Sequence, residues 1–283
     1  MINWPDLSTH SRTPVFQQAI DFCDESNALA EILMPLAEQD FVQRTAFKDW
    51  SVHDVVAHLH MWNHGAVLSL NDADGFGEFW QWVTVRIGAG TSLVDLTSEW
   101  LDGLKNRALF EAWRDYYPQV AEQFAVADPK ARISWVGPDM SVRSSITARH
   151  METWAHGQAI YDYLGHERID EDRIKNIAHL GVSTFGWTFK NRGMPIPEAI
   201  PCVRLTAPSG EVWTWNNASG TGAVVGSATE FCQVVTQVRN IGDTSLTVSG
   251  EVARRWMSMA QCFAGPPESP PPVGMRFRAT SGG

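Results

Sequence analysis

From Val52 to Leu70 the apolar residues Val52, Val55, Leu59, Trp62, Ala66 and Leu70 recur every three or four positions. That period fits one face of an α-helix and no β-strand. Wound at 3.6 residues per turn, the stripe covers an arc of about 80°. Ser51, just ahead of it, is a good N-cap. Asp54, three residues further on, completes an acidic variant of the capping box.

Similar spacing marks further helices. Residues 13–36 carry Phe16, Ile20, Cys23, Ala30 and Leu33 near helical spacing. Residues 93–124 read as a third long stretch, broken near Asn106 or Pro118, and residues 71–91 as a long connecting loop. Residues 133–140, with Gly137-Pro138, read as a second loop. Ser144 or Ser145 can then cap a fourth helix ending at Leu164-Gly165, where glycine suits the left-handed residue after a helix. Four helices so connected predict an up-and-down bundle.

The pattern then changes. Residues 171–190 read as one helix, and 202–207 and 211–216 alternate as strands around Pro208-Ser209-Gly210, a hairpin signal. Residues 244–249 make another short strand, and 229–239 and 252–263 two helices. The expected fold class is therefore α + (α+β): a four-helix bundle over residues 1–168, then a smaller mixed α/β domain over 169–265. A loosely ordered Pro/Gly-rich tail covers 266–283.

Composition narrows the function classes. With 44% apolar and 19% charged residues, the chain has the makings of a globular core rather than a disordered polymer. A net charge of -10, without any run of Lys or Arg, argues against nucleic acid or an anionic membrane as the main partner. Cys23, Cys202, Cys232 and Cys262 form no Cys-x-x-Cys pair and read as buried thiols in a reducing cytoplasm. Residues 1–6 lack the basic-then-apolar pattern of a signal peptide, and no apolar run approaches the roughly 18 residues of a membrane span. A soluble cytoplasmic protein acting on small molecules is expected, with homodimer formation through its helices left open.

The chemistry concentrates in histidines and one carboxylate. Glu152 and His156, at i and i+4, point about 40° apart on a helix whose same face continues through Ala159 and Tyr163. Burying an ionised glutamate costs several kcal/mol unless something pairs with it. A metal ion is one solution, and Arg149, about 60° around the helix, is another. A plain Glu–His hydrogen bond also accounts for the spacing. On the helix after Ser51, His58 flanks the apolar stripe, whereas His53, His60 and His64 lie further round, toward the expected solvent side. The run Gly220–Gly226 is one residue off a dinucleotide fingerprint and lacks the βαβ setting that would give it meaning.

With these residues in view, the chain resembles the DinB-like superfamily and, within it, the mycothiol-dependent maleylpyruvate isomerase branch. The matching segments are Trp50-Ser51-Val52-His53-Asp54-Val55-Val56-Ala57-His58-Leu59 and Arg149-His150-Met151-Glu152-Thr153-Trp154-Ala155-His156-Gly157. The resemblance implies that His58, Glu152 and His156 are ligands of a divalent metal. Zinc is the first expectation; nickel, iron and manganese suit the same donors. It also implies a low-molecular-weight thiol, bound as its thiolate, that adds to an activated double bond and is later eliminated. Three ligands leave an open position, as in catalytic rather than structural zinc sites. A substrate-binding arginine from the smaller domain is implied too, with Arg239 in roughly the corresponding region and Arg149 as its rival. Two departures weaken the catalytic expectation: Ala159 and Asn63 stand where family members often carry acidic residues. The function expected is a thiol-dependent isomerase or transferase acting on a small carboxylated electrophile. A non-catalytic metal-binding stress-response or regulatory module is the alternative.

Overall fold

The computed structural model describes residues 16–220 and 222–276. The expected helix start at Thr13, the leader reading of residues 1–6 and the end of the tail lie outside them. Helix α1 (Gln17–Leu33) leads to α2 (Val52–Asn71). The expected cap of α2 is present: Ser51 Oγ accepts the Asp54 N–H at 3.1 Å, and the Asp54 carboxylate accepts the Ser51 N–H at 2.8 Å.

The loop expected over 71–91 is instead mostly α3 (Ala73–Gly88), capped by Asp72, whose carboxylate accepts the Gly75 N–H. Gly75 and Gly77 obscured the helical signal. Phe76, Phe79 and Val83, spaced three and four apart, are buried and make the helix worth forming. The third stretch breaks at its Asn106 candidate, into α4 (Leu93–Trp100) and α5 (Asn106–Val126). Asp102, Gly103 and Asn106 take left-handed backbone there, while Pro118 lies inside α5. A two-residue antiparallel pair, β1 (Arg132–Ile133) with β2 (Met140–Ser141), flanks the second expected loop. Then comes α6 (Val142–Leu164), capped by Ser141 rather than Ser144 or Ser145 and ended by left-handed Gly165. Helices α1 and α2 each pack against α5 and α6, with α3 and α4 against α2.

The helix expected over 171–190 divides into a 3-10 turn (Asp172–Ile174), α7 (Lys175–Ser183) and α8 (Phe185–Lys190). Thr184, at the break, turns its hydroxyl back onto the Leu180 carbonyl at 2.7 Å. The expected hairpin forms as β3 (Cys202–Thr206) with β4 (Val212–Trp215). Strand β5 (Ala223–Ser227), from the Gly-rich run, pairs parallel to β3, and β6 (Thr247–Ser249) antiparallel to β5, so the order is β4-β3-β5-β6. Glycine suits this run because at Gly226 (φ 152°) a Cβ would lie 2.7 Å from Leu246 Cδ2. Helices α9 (Ala228–Val235) and α10 (Glu251–Met257) are shorter than expected.

Two hydrophobic clusters result, and α6 contributes to both. Val142, Ile146 and Ile160 belong to the first, Met151 and Trp154 to the second. Near their junction the buried Glu25 carboxylate of α1 accepts hydrogen bonds from Arg168 and Arg173. Burial would raise the Glu25 pKa, but Arg168, His150 and Arg173 hold it below the ordinary value.

The described part of the expected loose tail, 266–276, is tied to the body of the protein. Its prolines cannot continue a ladder, yet their carbonyls still accept hydrogen bonds. Gln261 Nε2 donates to Pro266 O, Gln237 Nε2 to Glu268 O, and Asn240 Nδ2 to Pro271 O, at 2.8–3.0 Å.

Candidate metal centre

Helix α2 brings His58 inward almost two turns after its cap, and α6 presents Glu152 and His156 one turn apart. Glu152 Oε2 lies 3.2 Å from His58 Nε2 and 3.0 Å from His156 Nε2. One ligand atom from each of the three falls within 4.8 Å of the others, the one such cluster of three His, Cys, Asp or Glu among the described residues.

Aromatic rings fix the imidazoles. Trp50 stacks parallel to His156, with centroids 5.7 Å apart, and Phe47 meets its ring edge-on at 4.9 Å. His58 packs against Trp50 and Trp62. Burial disfavours the Glu152 carboxylate, but its hydrogen bonds to His156 and His58 and the charge of Arg149 outweigh that, holding its pKa well below the carboxylate range. Burial, reinforced by His156, pushes His58 down to about 4 against the pull of Glu152, so its imidazole is neutral at physiological pH. An ionised carboxylate and two imidazole nitrogens converging on one point fit a divalent ion of borderline softness. The Nδ1 atoms of His58 and His156 are buried without a hydrogen-bond partner, so the aromatic contacts and the Nε2 contacts to Glu152 orient these rings.

The cluster opens onto a cavity of about 290 Å³ between the α2–α6 face and the later part of the chain. Phe47 and Trp50 line one side, Thr236, Gln237 and Phe263 another, and Glu268 to Pro272 with Arg276 a third. None of these wall residues was anticipated. Phe47 and Trp50 sit beside the α2 cap, which was legible, but nothing in the sequence pattern ties the proline-rich end to the site.

Arg149 is buried with its side chain over the Trp135 ring, 5.6 Å from the centroid, and its Nε and Nη1 have no hydrogen-bond partner. It lies outside the lining of the main cavity and acts on the cluster through charge. Arg239 donates to both carboxylate oxygens of Asp162, at 2.8 and 2.6 Å. It lines a small cleft with Ala159 and Arg276 rather than the main cavity. Asn63 is buried with its amide atoms unpartnered.

The other histidines of α2 depart from the expected solvent face because α3, α4 and α5 cover it. His60 packs against Trp100 and Tyr116, and His64 against Phe79 and Trp100. His53 Nδ1 accepts the Asn106 N–H at the start of α5. All four cysteines are free thiols; Cys23, Cys232 and Cys262 are buried and Cys202 is half-buried. Burial pushes the Cys262 thiol far up, with the Glu152 charge adding to the effect. Among the described residues no helix is long and apolar enough to cross a membrane.

Fold and cluster together define a protein of many helices with a four-stranded sheet and a two-stranded ribbon, and with two histidines and a glutamate gathered beside a pocket. The chain belongs to the family described as mycothiol maleylpyruvate isomerase N-terminal domain, whose model matches residues 22–161, the span that carries all three clustered residues. It is 33% identical over 247 residues to uncharacterized proteins of two Mycobacterium tuberculosis strains, CDC 1551 / Oshkosh and ATCC 25618 / H37Rv. In each case the match covers 87% of this chain and 95% of the relative. The crystal structure of the mycothiol-dependent maleylpyruvate isomerase superposes with a TM-score of 0.53 at 14% identity, covering 83% of this chain and 93% of that one. A histidine-to-alanine mutant of that isomerase gives 0.50 at 13% identity, covering 78% and 88%. At these identities the likeness establishes the fold.

Proposed function

We propose that the protein is a metal-dependent isomerase or transferase that uses a small thiol on a small, carboxylated electrophile. The observation that carries this reading is the His58–Glu152–His156 cluster at the edge of a cavity large enough for such a ligand. Those three side chains would hold a divalent ion, zinc first, with nickel, iron or manganese suited to the same donors. When bound, the ion supplies Lewis acidity that favours a thiolate at neutral pH. The family, and the mycothiol dependence of the structurally similar isomerase, support the choice of a thiol over water as the nucleophile.

The chain's own residues do the rest. Trp50 and Phe47 hold the His156 ring in place and form an apolar wall that limits water. Arg149 offsets the charge of Glu152 from inside the protein. Arg276 offers guanidinium donors to a carboxylate in the cavity. Arg239, paired with Asp162 of α6, acts as a positioning residue that ties the segment after α9 to the ligand helix. The reading includes a DinB-like four-helix bundle made by α1, α2, α5 and α6, with a domain boundary near residue 168. A non-catalytic metal-binding module has no need of the cavity, which weighs against that alternative.

The test is elemental analysis of the wild type beside His58→Ala, followed by incubation of the metal-loaded protein with a small thiol and maleylpyruvate. About one equivalent of metal, lost in the variant, together with thiol-dependent isomerisation is expected. No metal in either protein after reconstitution with zinc and nickel would overturn the proposal.

A further inference from the structure

The proline-rich segment that closes one side of the cavity is held in a way its composition does not require. Glu268 is bound at three points. Its N–H donates to Gln261 Oε1 at 3.0 Å, and its carbonyl accepts from Gln237 and Arg192. Its carboxylate takes both oxygens to the Lys48 ammonium, at 2.9 and 2.7 Å. Further along, Asn240 holds Pro271 O, and the Gly274 N–H donates to Asp243 at 2.8 Å. Beyond these ties the Arg276 guanidinium sits over the Phe47 ring, 4.7 Å from its centroid, on the residue that packs against His156.

The other half of the Lys48–Glu268 contact is equally specific. Lys48 and Asp49, neither of them glycine, both take left-handed backbone, with φ 49° and 59°. L-residues hold that conformation only when their surroundings enforce it. Here Arg44 Nη1 donates to Asp49 O at 2.9 Å, and the Trp50 N–H closes the turn on Phe47 O. This strained turn places Phe47 and Lys48 side by side in the cavity lining, Lys48 reaching the later segment 220 residues away in sequence.

We propose that residues 266–276 are a strap that closes the cavity over the His58–Glu152–His156 cluster, with the Lys48–Glu268 ion pair as its latch, so that opening of the strap governs access to the site. Gln261, Gln237 and Arg192 hold the main chain of Glu268 to the body of the protein, which makes this residue the hinge, and its side-chain pair with Lys48 locks that hinge. The latch lies at the surface, with side-chain exposures of 43% for Lys48 and 34% for Glu268. A pair so exposed is weak and salt-sensitive, which suits a contact that must break and re-form. Proline shortens the list of conformations the open strap can visit, so re-closure carries a small entropic cost.

The strap lies over the proposed reaction site, but its closure does not depend on a metal, and the experiment keeps the two apart. Hydrogen exchange of the strap amides is followed in metal-free protein for wild type, Glu268→Gln and Lys48→Met, with a peptide from α6 as control. Each substitution is expected to speed strap exchange about two- to fivefold while leaving the α6 peptide unchanged. Raising salt to roughly 1 M should do the same to the wild type and add nothing in either variant. In zinc-loaded protein, the rate at which a zinc-binding dye removes the ion should rise by a similar factor in both variants. Strap amides that exchange at unprotected rates in the wild type, or variants indistinguishable from it, would overturn the proposal. A protein that binds no zinc would overturn the metal reading instead, and the exchange measurement would still decide the strap.

Discussion

Replacing Glu152 with glutamine keeps the shape of the cluster and removes its negative charge. In the wild type that charge sits between two imidazoles and within the field of Arg149, which is itself buried with two guanidinium nitrogens unpartnered. Without it Arg149 is a buried cation with no carboxylate left acting on it, and leaving a buried charge uncompensated costs about 3–5 kcal/mol. Unfolding entropy of about 2.1 cal/mol/K per residue over 283 residues comes to roughly 0.6 kcal/mol per kelvin, so the melting temperature should fall by about 5–8 K. The assay is calorimetry in the presence of a chelator, which isolates the charge effect from any ion. Zinc at a hundred times its dissociation constant should then add about 2.7 kcal/mol, or roughly 4–5 K, to the wild type and much less to the variant. Pairing Glu152→Gln with Arg149→Met should recover much of the loss, because an apolar residue replaces the stranded cation. A variant that melts within about 1 K of wild type in chelator and shows the full zinc shift would refute the reasoning.

Acid should loosen the protein well before its carboxylates titrate. His58, His60 and His150 are pushed down to about 4 from 6.5, chiefly by burial. Between those values the unfolded chain binds more protons than the folded one, so stability falls as pH drops through the window, by about 2 kcal/mol per histidine at pH near 5. Urea midpoints in chelator that stay flat from about pH 7.5 to about pH 5 would contradict this. Trp50→Ala removes the ring stacked on His156, and should cost about 3–5 kcal/mol and weaken zinc binding, whereas Trp50→Phe should keep most of both. Unchanged zinc affinity in the alanine variant, read by competition with a chelator, would show that the stacking does not orient the ligand.

What was legible in the sequence and what was not have physical causes. The α2 cap and stripe, the Gly165 stop and the β3–β4 hairpin are local patterns, and local patterns survive in one dimension. Helix α3 was missed because two glycines diluted a short stripe that only packing on α2 makes favourable. That omission led to the second error, since α3 and α4 cover the face on which His60 and His64 were expected to meet water. Strand β5 has no alternation to reveal it, being a glycine-bearing strand between two others. The three clustered residues came from the resemblance and from the angle of His58, but the cavity wall did not. Its parts, from Phe47 to Arg276, meet only through tertiary structure.

Helix α6 explains why donors and cavity belong together without being built by the same core. Its ends pack into the first hydrophobic cluster through Val142, Ile146 and Ile160, its middle into the second through Met151 and Trp154. Covered on opposite sides, the middle of α6 leaves Glu152 only half-buried at the edge of the cavity, where its carboxylate is satisfied by His58 and His156. Because His58 sits on α2, the spacing of the three donors is set by α2–α6 packing in the first cluster. The opposite wall, from Thr236 to Val238 and from Phe263 through the strap, is carried by elements of the second cluster. Because Met151 and Trp154 flank Glu152 in that second core, changes there reach the donor helix and the cavity wall together, while the Glu25–Arg168–Arg173 network joins α1 to the segment after α6.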